Sequence, residues 1–281
     1  MSRLFVEQLT VIDCAYLDAA RGLVGESWIV DIELEGRLDE QSMVLDFGEV
    51  KKRLKQAIDG SVDHALLVPR HAAGVQVCRD GEDVQLSFAS AHGTYEHRSP
   101  AHAVVLLDAE AMTADSLIEH LRPLLRAVLP ANVDALDIRL RPERIEGAYY
   151  HYVHGLKKHD GLCQRIAHGH RSRIEVRIAG ERDAALETRI ADAWRDIYLG
   201  TREDVVAHGD GRIRFAYTAR DGRYELELPD SRCDLLDTDS TVEQIAAELA
   251  RRIAARRPGA AVTVRAYEGV MKGAVARIGG A

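Results

Sequence analysis

The pattern of apolar and polar residues predicts the same opening elements in both halves of the chain. Apolar and polar residues alternate over residues 29–34 and again over residues 174–178, which is typical of a strand with one buried face. Apolar residues at helical spacing follow over residues 50–58 and 186–197. Each half is therefore expected to begin with a strand and to continue with an amphipathic helix.

A hairpin and a second helix are predicted next in each half. Asp80-Gly81 and Asp221-Gly222 each lie between two apolar-rich stretches, and Asp-Gly is favoured in tight hairpin turns. Thr113 and Thr241 each precede a helical pattern with an acidic residue in its first turn. A threonine at the N-cap and an acid in the first turn both stabilise a helix start.

Each half ends with a short predicted strand, over residues 135–140 and 261–266, and then with a glutamate, Glu143 or Glu268. The same order of elements in both halves indicates an internal duplication. The alternative is two α+β domains that share their elements by chance.

The duplication predicts an α+β protein of two similar domains. Gly25 and Gly169, which lie 144 residues apart, occupy matching places before the first strand of each half. No proline- or serine-rich linker separates the halves, and we place the boundary near residue 147. The domains are then expected to cover residues 1–147 and 148–281.

Composition and charge limit the binding partners and the cellular compartment that we expect for the protein. The 281 residues carry 37 Lys+Arg against 45 Asp+Glu, for a net charge of −8, which argues against a broad basic surface for nucleic acid. No apolar run approaches 18 residues and no export signal is visible, so we expect neither a membrane span nor secretion. The cysteines are far apart and form no CxxC pair, and we expect reduced thiols in the cytoplasm. They are Cys14, Cys78, Cys163 and Cys233.

Histidines are concentrated at the start of the second half. Five of the 12 fall within residues 151–170, namely His151, His154, His159, His168 and His170. His168 and His170 open a predicted strand, and residues two apart on a strand face the same side. His154 is the candidate third ligand, since an adjacent antiparallel strand would bring it close. Three neutral imidazoles with an open fourth position are the usual ligand set of catalytic zinc.

The other polar residues near this cluster have two interpretations each. His151 is expected to face away from the three candidate ligands, and His159 lies in a polar turn, so we interpret both as satisfied or exposed side chains. Cys163 is either a buried apolar filler or, near a metal and a histidine, a proton-transferring thiolate.

The first half lacks the metal ligands and carries a different pair. At the 144-residue offset, Val24 and Glu26 stand where the second half has its two strand histidines, so we expect no zinc there. Asp63 and His64 are adjacent, and a carboxylate beside an imidazole orients it and stabilises its charged form. The alternative is that Asp63 caps a helix and His64 lies on the surface.

Taken together, these residues resemble a known family. The matching segments are His154 with Cys163 and His168-Gly169-His170, residues 43–47, residues 62–67, the helix start at residues 241–243, and Glu268. The sequence is similar to the 6-pyruvoyl-tetrahydropterin synthase / 6-carboxytetrahydropterin synthase family in a tandem form. The resemblance implies a duplicated tunnelling fold (T-fold), with an antiparallel sheet and helices on one face in each half.

The resemblance also implies roles for these residues. His154, His168 and His170 would bind Zn²⁺, and Cys163 would transfer protons with Asp63 and His64 as its partners. The substrate-binding positions would be Glu268, which would hold the pterin ring, with Thr241 and Glu243. In the family the Asp-His pair meets the zinc site across a subunit contact, and here the two lie in different halves.

The activity that the resemblance implies is zinc-dependent lyase chemistry on 7,8-dihydroneopterin triphosphate. We expect 6-carboxytetrahydropterin, a deazapurine (queuosine) precursor, as the product. The alternatives are triphosphate elimination to the 6-pyruvoyl product, a non-catalytic pterin- or purine-binding protein, and a zinc hydrolase. Four residues separate Cys163 from His168, whereas three are typical of the carboxy branch and five of the pyruvoyl branch. The family's rings imply a homo-oligomer, either a trimer or a dimer of trimers.

Overall fold

The computed structural model describes residues 2–279, which form four α-helices and eighteen strands. The first half contains β1 Ser2–Asp18, β2 Gly22–Gly36, α1 Phe47–Asp59, β3 Leu66–Pro69, β4 Val75–Asp80, β5 Asp83–Ser90, β6 Gly93–Pro100, β7 Val104–Leu107, α2 Ala114–Ala127 and β8 Val133–Pro142. The second half contains β9 Tyr149–His154, β10 His168–Ile178, β11 Glu181–Arg182, α3 Ala184–Ala193, β12 Ile197–Thr201, β13 Val205–Gly209, β14 Arg212–Ala219, β15 Gly222–Pro229, β16 Cys233–Leu236, α4 Val242–Ala255, β17 Val262–Tyr267 and β18 Gly273–Ile278.

Each half builds a sheet around an antiparallel core. The first sheet has the order β7-β3-β1-β2-β8, and the second has the order β16-β12-β9-β10-β17-β18 with β11 beside β10. Short strands extend each core in parallel, β3 beside β1 and β12 beside β9. The helices bury their apolar residues against these sheets, as Leu54 and Leu117 show in the first half and Ile245 in the second. No helix within residues 2–279 has the length and apolarity needed to cross a membrane.

The hairpins of the two halves join in a third sheet, with the order β13-β14-β15-β6-β5-β4. Its centre is the antiparallel pair of β6 and β15, in which Leu226 lies opposite His97 and Glu225 lies opposite Arg98. These two strands are the corresponding strands of the repeat. Because they pair with each other antiparallel, the halves are related by a pseudo-two-fold axis that passes through this pair.

The two matching glycines lie where the first sheet meets the second. A Cβ on Gly25 would stand 2.0 Å from the carbonyl oxygen of Tyr152, and one on Gly169 would stand 2.6 Å from the Cα of Gly25. No side chain fits between backbones at these distances. The close approach brings β2 against β9 and β10, and it sets the first half beside the histidine-bearing strands.

Most predicted elements are present, with one helix shorter than expected. Both Asp-Gly turns connect hairpin strands, and Thr113 and Thr241 cap α2 and α4. The helix predicted over residues 186–197 ends at Ala193. Asp196 takes a positive φ of 56°, which a helix does not tolerate, and the next residue already belongs to β12.

Candidate functional site

Three buried histidines meet at the junction of β9 and β10. The two strands are antiparallel, and His154 at the end of β9 lies directly opposite His168 at the start of β10. His170 follows two residues later on the same face, and the ligand nitrogens of the three lie within 4.8 Å of one another. We call these three residues the histidine triad. The antiparallel neighbour expected from the sequence is therefore what assembles it.

The second nitrogen of each triad histidine faces an acceptor. Nδ1 of His154 donates to the carbonyl oxygen of Ser240, and Nδ1 of His168 donates to that of Arg165, both at 2.9 Å. Nδ1 of His170 lies 3.1 Å from Oδ1 of Asp13. These contacts leave Nε2 of each imidazole as the free nitrogen.

The free nitrogens suit a divalent metal. All three Nε2 atoms are buried, and none has a hydrogen-bond partner among residues 2–279, which is costly for polar atoms unless another group satisfies them. Burial lowers the pKa of His154 and of His168 well below the ordinary value. Both stay neutral, and neutral imidazole is the form that ligates metal. The donor set therefore fits a metal ion with nitrogen ligands.

Asp13 on β1 connects the triad to the first half. Besides His170, its carboxylate accepts a hydrogen bond from Ser27 Oγ at 2.5 Å and lies 3.2 Å from Lys272 Nζ. Burial by itself would raise the pKa of Asp13, but His170, Lys272 and Ser27 outweigh it and lower that pKa well below its ordinary value. Sequence analysis missed this residue. The available signal was a lone carboxylate within an apolar stretch of strand.

The Asp63-His64 pair lies beside the triad in the same chain. It occupies the turn after α1, where His64 has a φ of 54° and its backbone NH donates to the Asp13 carbonyl at 2.7 Å. Asp63 Oδ2 is 2.8 Å from His64 Nδ1. The alternative in which Asp63 caps a helix and His64 lies on the surface is wrong, because the pair is mostly buried between the two halves.

Cys163 completes the cluster from the loop between β9 and β10. Its Sγ and the nitrogens of His64 and His168 lie within 4.8 Å of one another. Burial would lower the pKa of His64, but hydrogen bonds with Asp63 and Cys163 raise it to about 10. A protonated imidazole beside a thiol is an arrangement that favours thiolate chemistry. Cys163 is thus half-buried beside two imidazoles.

The three predicted substrate-binding residues lie just after β17 and at the start of α4. Glu268 directly follows β17. Burial and, after it, the charge of Glu268 raise the pKa of Tyr152, whose ring centre lies 5.0 Å from that of His154. Thr241 caps α4 by accepting from the backbone NH of Gln244, one residue after the carbonyl that holds His154. Glu243 is exposed in the first turn of α4.

The other two histidines of the cluster lie apart from the triad. His151 is buried on the opposite side of β9 and donates from Nδ1 to the Gly25 carbonyl at 2.7 Å. His159 is exposed, and its Nδ1 accepts from the backbone NH of Gly161 at 2.8 Å. Both histidines are satisfied within the protein, as the sequence suggested.

The model of one protein family covers both halves of the chain. The model for 6-pyruvoyl tetrahydropterin synthase matches residues 15–141 and again residues 144–278. The chain belongs to the 6-pyruvoyl tetrahydropterin synthase family. The predicted family, its tandem form and the duplicated T-fold class are confirmed. Members of this family are lyases of pterin metabolism.

Solved structures of this family are similar to one half of the chain. The Plasmodium falciparum 6-pyruvoyl tetrahydropterin synthase matches with 15% identity and a TM-score of 0.41, over 50% of this chain and 90% of that one. The Plasmodium vivax enzyme matches with 19% identity and a TM-score of 0.36 over the same shares. No curated protein matches the chain.

Proposed function

We propose that this family member converts 7,8-dihydroneopterin triphosphate to 6-carboxytetrahydropterin with zinc in the histidine triad. The observation that supports this most is the meeting of Asp63 and His64 with Cys163 and the triad in one chain. We also propose that residues 1–147 form the unit that supplies the Asp-His pair. Residues 148–281 would form the zinc-binding unit.

Three imidazoles are a ligand set in which catalytic zinc is commonly held. His154, His168 and His170 would each supply Nε2, and the group leaves a fourth position open for substrate. When bound by these three residues, zinc would supply Lewis-acid polarisation of a substrate oxygen. The carbonyl acceptors on Nδ1 of His154 and His168 hold these two rings in the tautomer that this requires, and the Asp13 carboxylate faces Nδ1 of His170.

Proton transfer is assigned to the Cys163 cluster. Asp63 holds the His64 imidazole through Nδ1, and the high pKa of His64 keeps it protonated at neutral pH. The Cys163 thiolate accepts a proton from the substrate side chain, and the His64 imidazolium donates one. Transfer between the two residues afterwards restores the starting forms.

Substrate binding is assigned to the residues around the open side of the triad. Glu268 would accept hydrogen bonds from the amino group and ring NH of the pterin, because a carboxylate pairs well with two adjacent N–H donors. Thr241 and Glu243 would contact the substrate from the start of α4. The proximity of Glu268 to Tyr152 and of Ser240 to His154 supports this placement.

Product identification tests the proposal and separates its alternatives. We expect the purified, zinc-loaded protein to release acetaldehyde and form 6-carboxytetrahydropterin from 7,8-dihydroneopterin triphosphate. Formation of the 6-pyruvoyl product would instead assign the triphosphate-eliminating branch. Binding without turnover would assign a pterin- or purine-binding protein.

Two variants control that experiment. We expect His154→Ala to lose bound zinc together with turnover, and Cys163→Ala to keep zinc and lose turnover. Turnover that survives in Cys163→Ala with zinc bound would contradict the assigned acid/base role.

We also propose a ring-forming homo-oligomer that works in the cytoplasm. Within residues 2–279, β8 stands at one edge of the first sheet and β18 at one edge of the second, and open strand edges are surfaces on which further copies pair. Light scattering on the purified protein tests the assembly. We expect a mass above that of one 31.1 kDa chain.

A further inference from the structure

The pairing of β9 with β10 places one tyrosine directly beside the histidine triad. Tyr152 lies opposite His170, in the row next to the pair of His154 and His168. Residues two apart on a strand face the same side, so its ring projects to the face that carries the triad. The ring centre is 5.0 Å from that of His154 and 5.3 Å from that of His170. Tyr152 therefore belongs to the immediate surroundings of the metal site.

The hydroxyl group of Tyr152 is buried and unpaired. The residue is fully buried, and its Oη has no hydrogen-bond partner among residues 2–279. A tyrosine carries its phenolic proton at neutral pH and donates one hydrogen bond. Leaving such a donor unpaired in the interior costs free energy. An unpaired buried group in a native fold therefore calls for an explanation, and a bound molecule is one.

Ionisable groups from both halves surround this phenol. Burial and, after it, the charge of Glu268 raise the pKa of Tyr152, with further contributions that include Asp13 and Cys163. Glu268 is the residue proposed to hold the ring of the substrate, and Cys163 is the thiol proposed to transfer protons. The unpaired hydroxyl thus lies among the groups assigned to binding and to chemistry.

A hydrogen bond keeps the turn of Glu268 close to the same strand. Ser172 is two residues beyond His170 on the same face of β10, and its Oγ accepts from the backbone NH of Gly269 at 3.0 Å. Because Gly269 directly follows Glu268, this bond fixes the turn beside the row of Tyr152 and His170. Tyr152 and Glu268 are therefore in place to contact one small molecule.

The neighbouring Tyr150 has a hydroxyl of the same kind in different surroundings. Its Oη is also buried without a partner among the described residues. Its ring centre lies 5.4 Å from that of Trp194, it is one row further from the triad than Tyr152, and burial raises its pKa. Packing in the core explains Tyr150, but it does not explain the charged surroundings of Tyr152.

We propose that Tyr152 contacts the substrate and donates a hydrogen bond to N5 of the dihydropterin ring. N5 is the imine nitrogen beside the carbon that carries the side chain, and the ligand class rests on the proposed function. With the amino end of the ring at Glu268 and the side chain at the triad, N5 is the ring acceptor nearest the triad, where Tyr152 lies. The hydrogen bond fixes the orientation of the ring and directs its side chain toward Cys163.

Two matched ligands test this contact. The probes are neopterin and its 5-deaza analogue, in which a C–H group replaces N5, each titrated calorimetrically into the full-length, zinc-loaded protein. We expect the wild type to prefer neopterin by roughly 2–10-fold, which is the contribution of one neutral hydrogen bond. Tyr152→Phe removes only the hydroxyl. We expect this variant to bind neopterin more weakly by the same factor and to lose the preference.

Tyr150→Phe is the matched control, and it should keep the preference of the wild type. Both variants are expected to retain zinc and to unfold at or above the wild-type temperature, since each loses an unpaired buried hydroxyl. Loss of zinc from Tyr152→Phe would show that the ring acts through the metal ligands, and it would overturn the contact.

The preference of the wild type needs no variant, so the test holds even if Tyr152→Phe does not fold. Equal binding of both ligands by the wild type, or a preference unchanged in Tyr152→Phe, overturns the contact with N5 and leaves the proposed function standing. Absence of both ligand binding and turnover in the wild type overturns both proposals.

Discussion

Single residues connect the two halves at the site, and Asp13 is the main one. Its carboxylate faces His170, Ser27 and Lys272, and its backbone NH donates to Asp63 Oδ1 at 2.9 Å. One residue therefore orients a triad histidine and holds the turn that carries the Asp-His pair. Carboxylates behind metal-bound histidines fix the ring and raise its basicity.

Replacing this carboxylate is expected to weaken metal binding. Asp13→Asn removes the charge opposite His170 and keeps the size of the side chain, and losing such a partner costs roughly 10–100-fold in metal affinity. Competition with a chromophoric zinc chelator measures the affinity. Asp137→Asn, an exposed carboxylate on β8, is the control. Wild-type affinity in Asp13→Asn would show that Asp13 does not support the ligand.

A second buried carboxyl gives a pH-dependent prediction. Burial raises the pKa of Glu26 from 4.5 to about 7, so between these values the folded state binds more protons than the unfolded state. The contribution of Glu26 to stability is therefore present below pH 4.5 and is lost as the pH rises to about 7. The loss amounts to roughly 3 kcal/mol if the full shift applies.

Glu26→Gln removes this titration. We expect the stability of the variant relative to wild type to increase between pH 5 and pH 8, measured by urea unfolding at each pH. A difference that stays constant over this range would mean that Glu26 has an ordinary pKa in the folded protein.

At the scale of elements, the crossing of β2 over β9 and β10 sets the distance between the halves. The crossing depends on Gly25 and Gly169, because a methyl group on either would collide with backbone. The same contact places β1, with Asp13, against β10. The end of α3, which the sequence pattern predicted four residues too late, also belongs to this junction. The residues after it turn back and bring Asp196 to Arg21.

Gly25→Ala is expected to separate these strands. The added Cβ would meet the Tyr152 carbonyl, and backbone cannot move aside as a side chain can, so we expect a loss of about 1–3 kcal/mol in unfolding free energy. Thermal and urea unfolding measure it. Gly209→Ala is the matched control, because nothing lies within 4 Å of the added methyl. Equal stability of the two variants would contradict the close crossing.

At the scale of the whole molecule, the chain folds back on itself about the pseudo-two-fold axis. The third sheet joins the hairpins of both halves, and its core contains aromatic residues from each, including Phe88, Tyr95, Phe215 and Tyr224. As a result, His64 of the first half reaches Cys163 of the second within one chain. The catalytic group proposed here therefore needs both halves but not a second copy.

Mixing two inactive chains tests this arrangement. His64→Ala and Cys163→Ala each damage the only group proposed for proton transfer in their own chain. If the site forms within a chain, co-expressed and co-purified mixtures of the two are expected to stay inactive in the turnover assay. Recovered activity in the mixture, absent from either variant alone, would place the Asp63-His64 pair against the Cys163 of a neighbouring chain.

Sequence patterns predicted much of this structure because they are local. The alternation of apolar residues, the Asp-Gly turns and the threonine caps depend only on near neighbours in the chain. Two histidines separated by one residue on a strand must share a face, so two members of the triad were predictable. The third followed from a single assumption about strand pairing.

The rest depends on how distant segments meet. By itself the sequence determined the duplication, the α+β elements, the family and the triad candidates. Each of these can be read from the spacing of apolar residues and from motifs in short stretches of the chain. Only the tertiary structure decided that Asp13 faces His170, that His64 lies beside Cys163, and that His151 faces Glu26. These partners come from opposite halves, and the packing of two backbones at Gly25 and Gly169 brings them within contact distance.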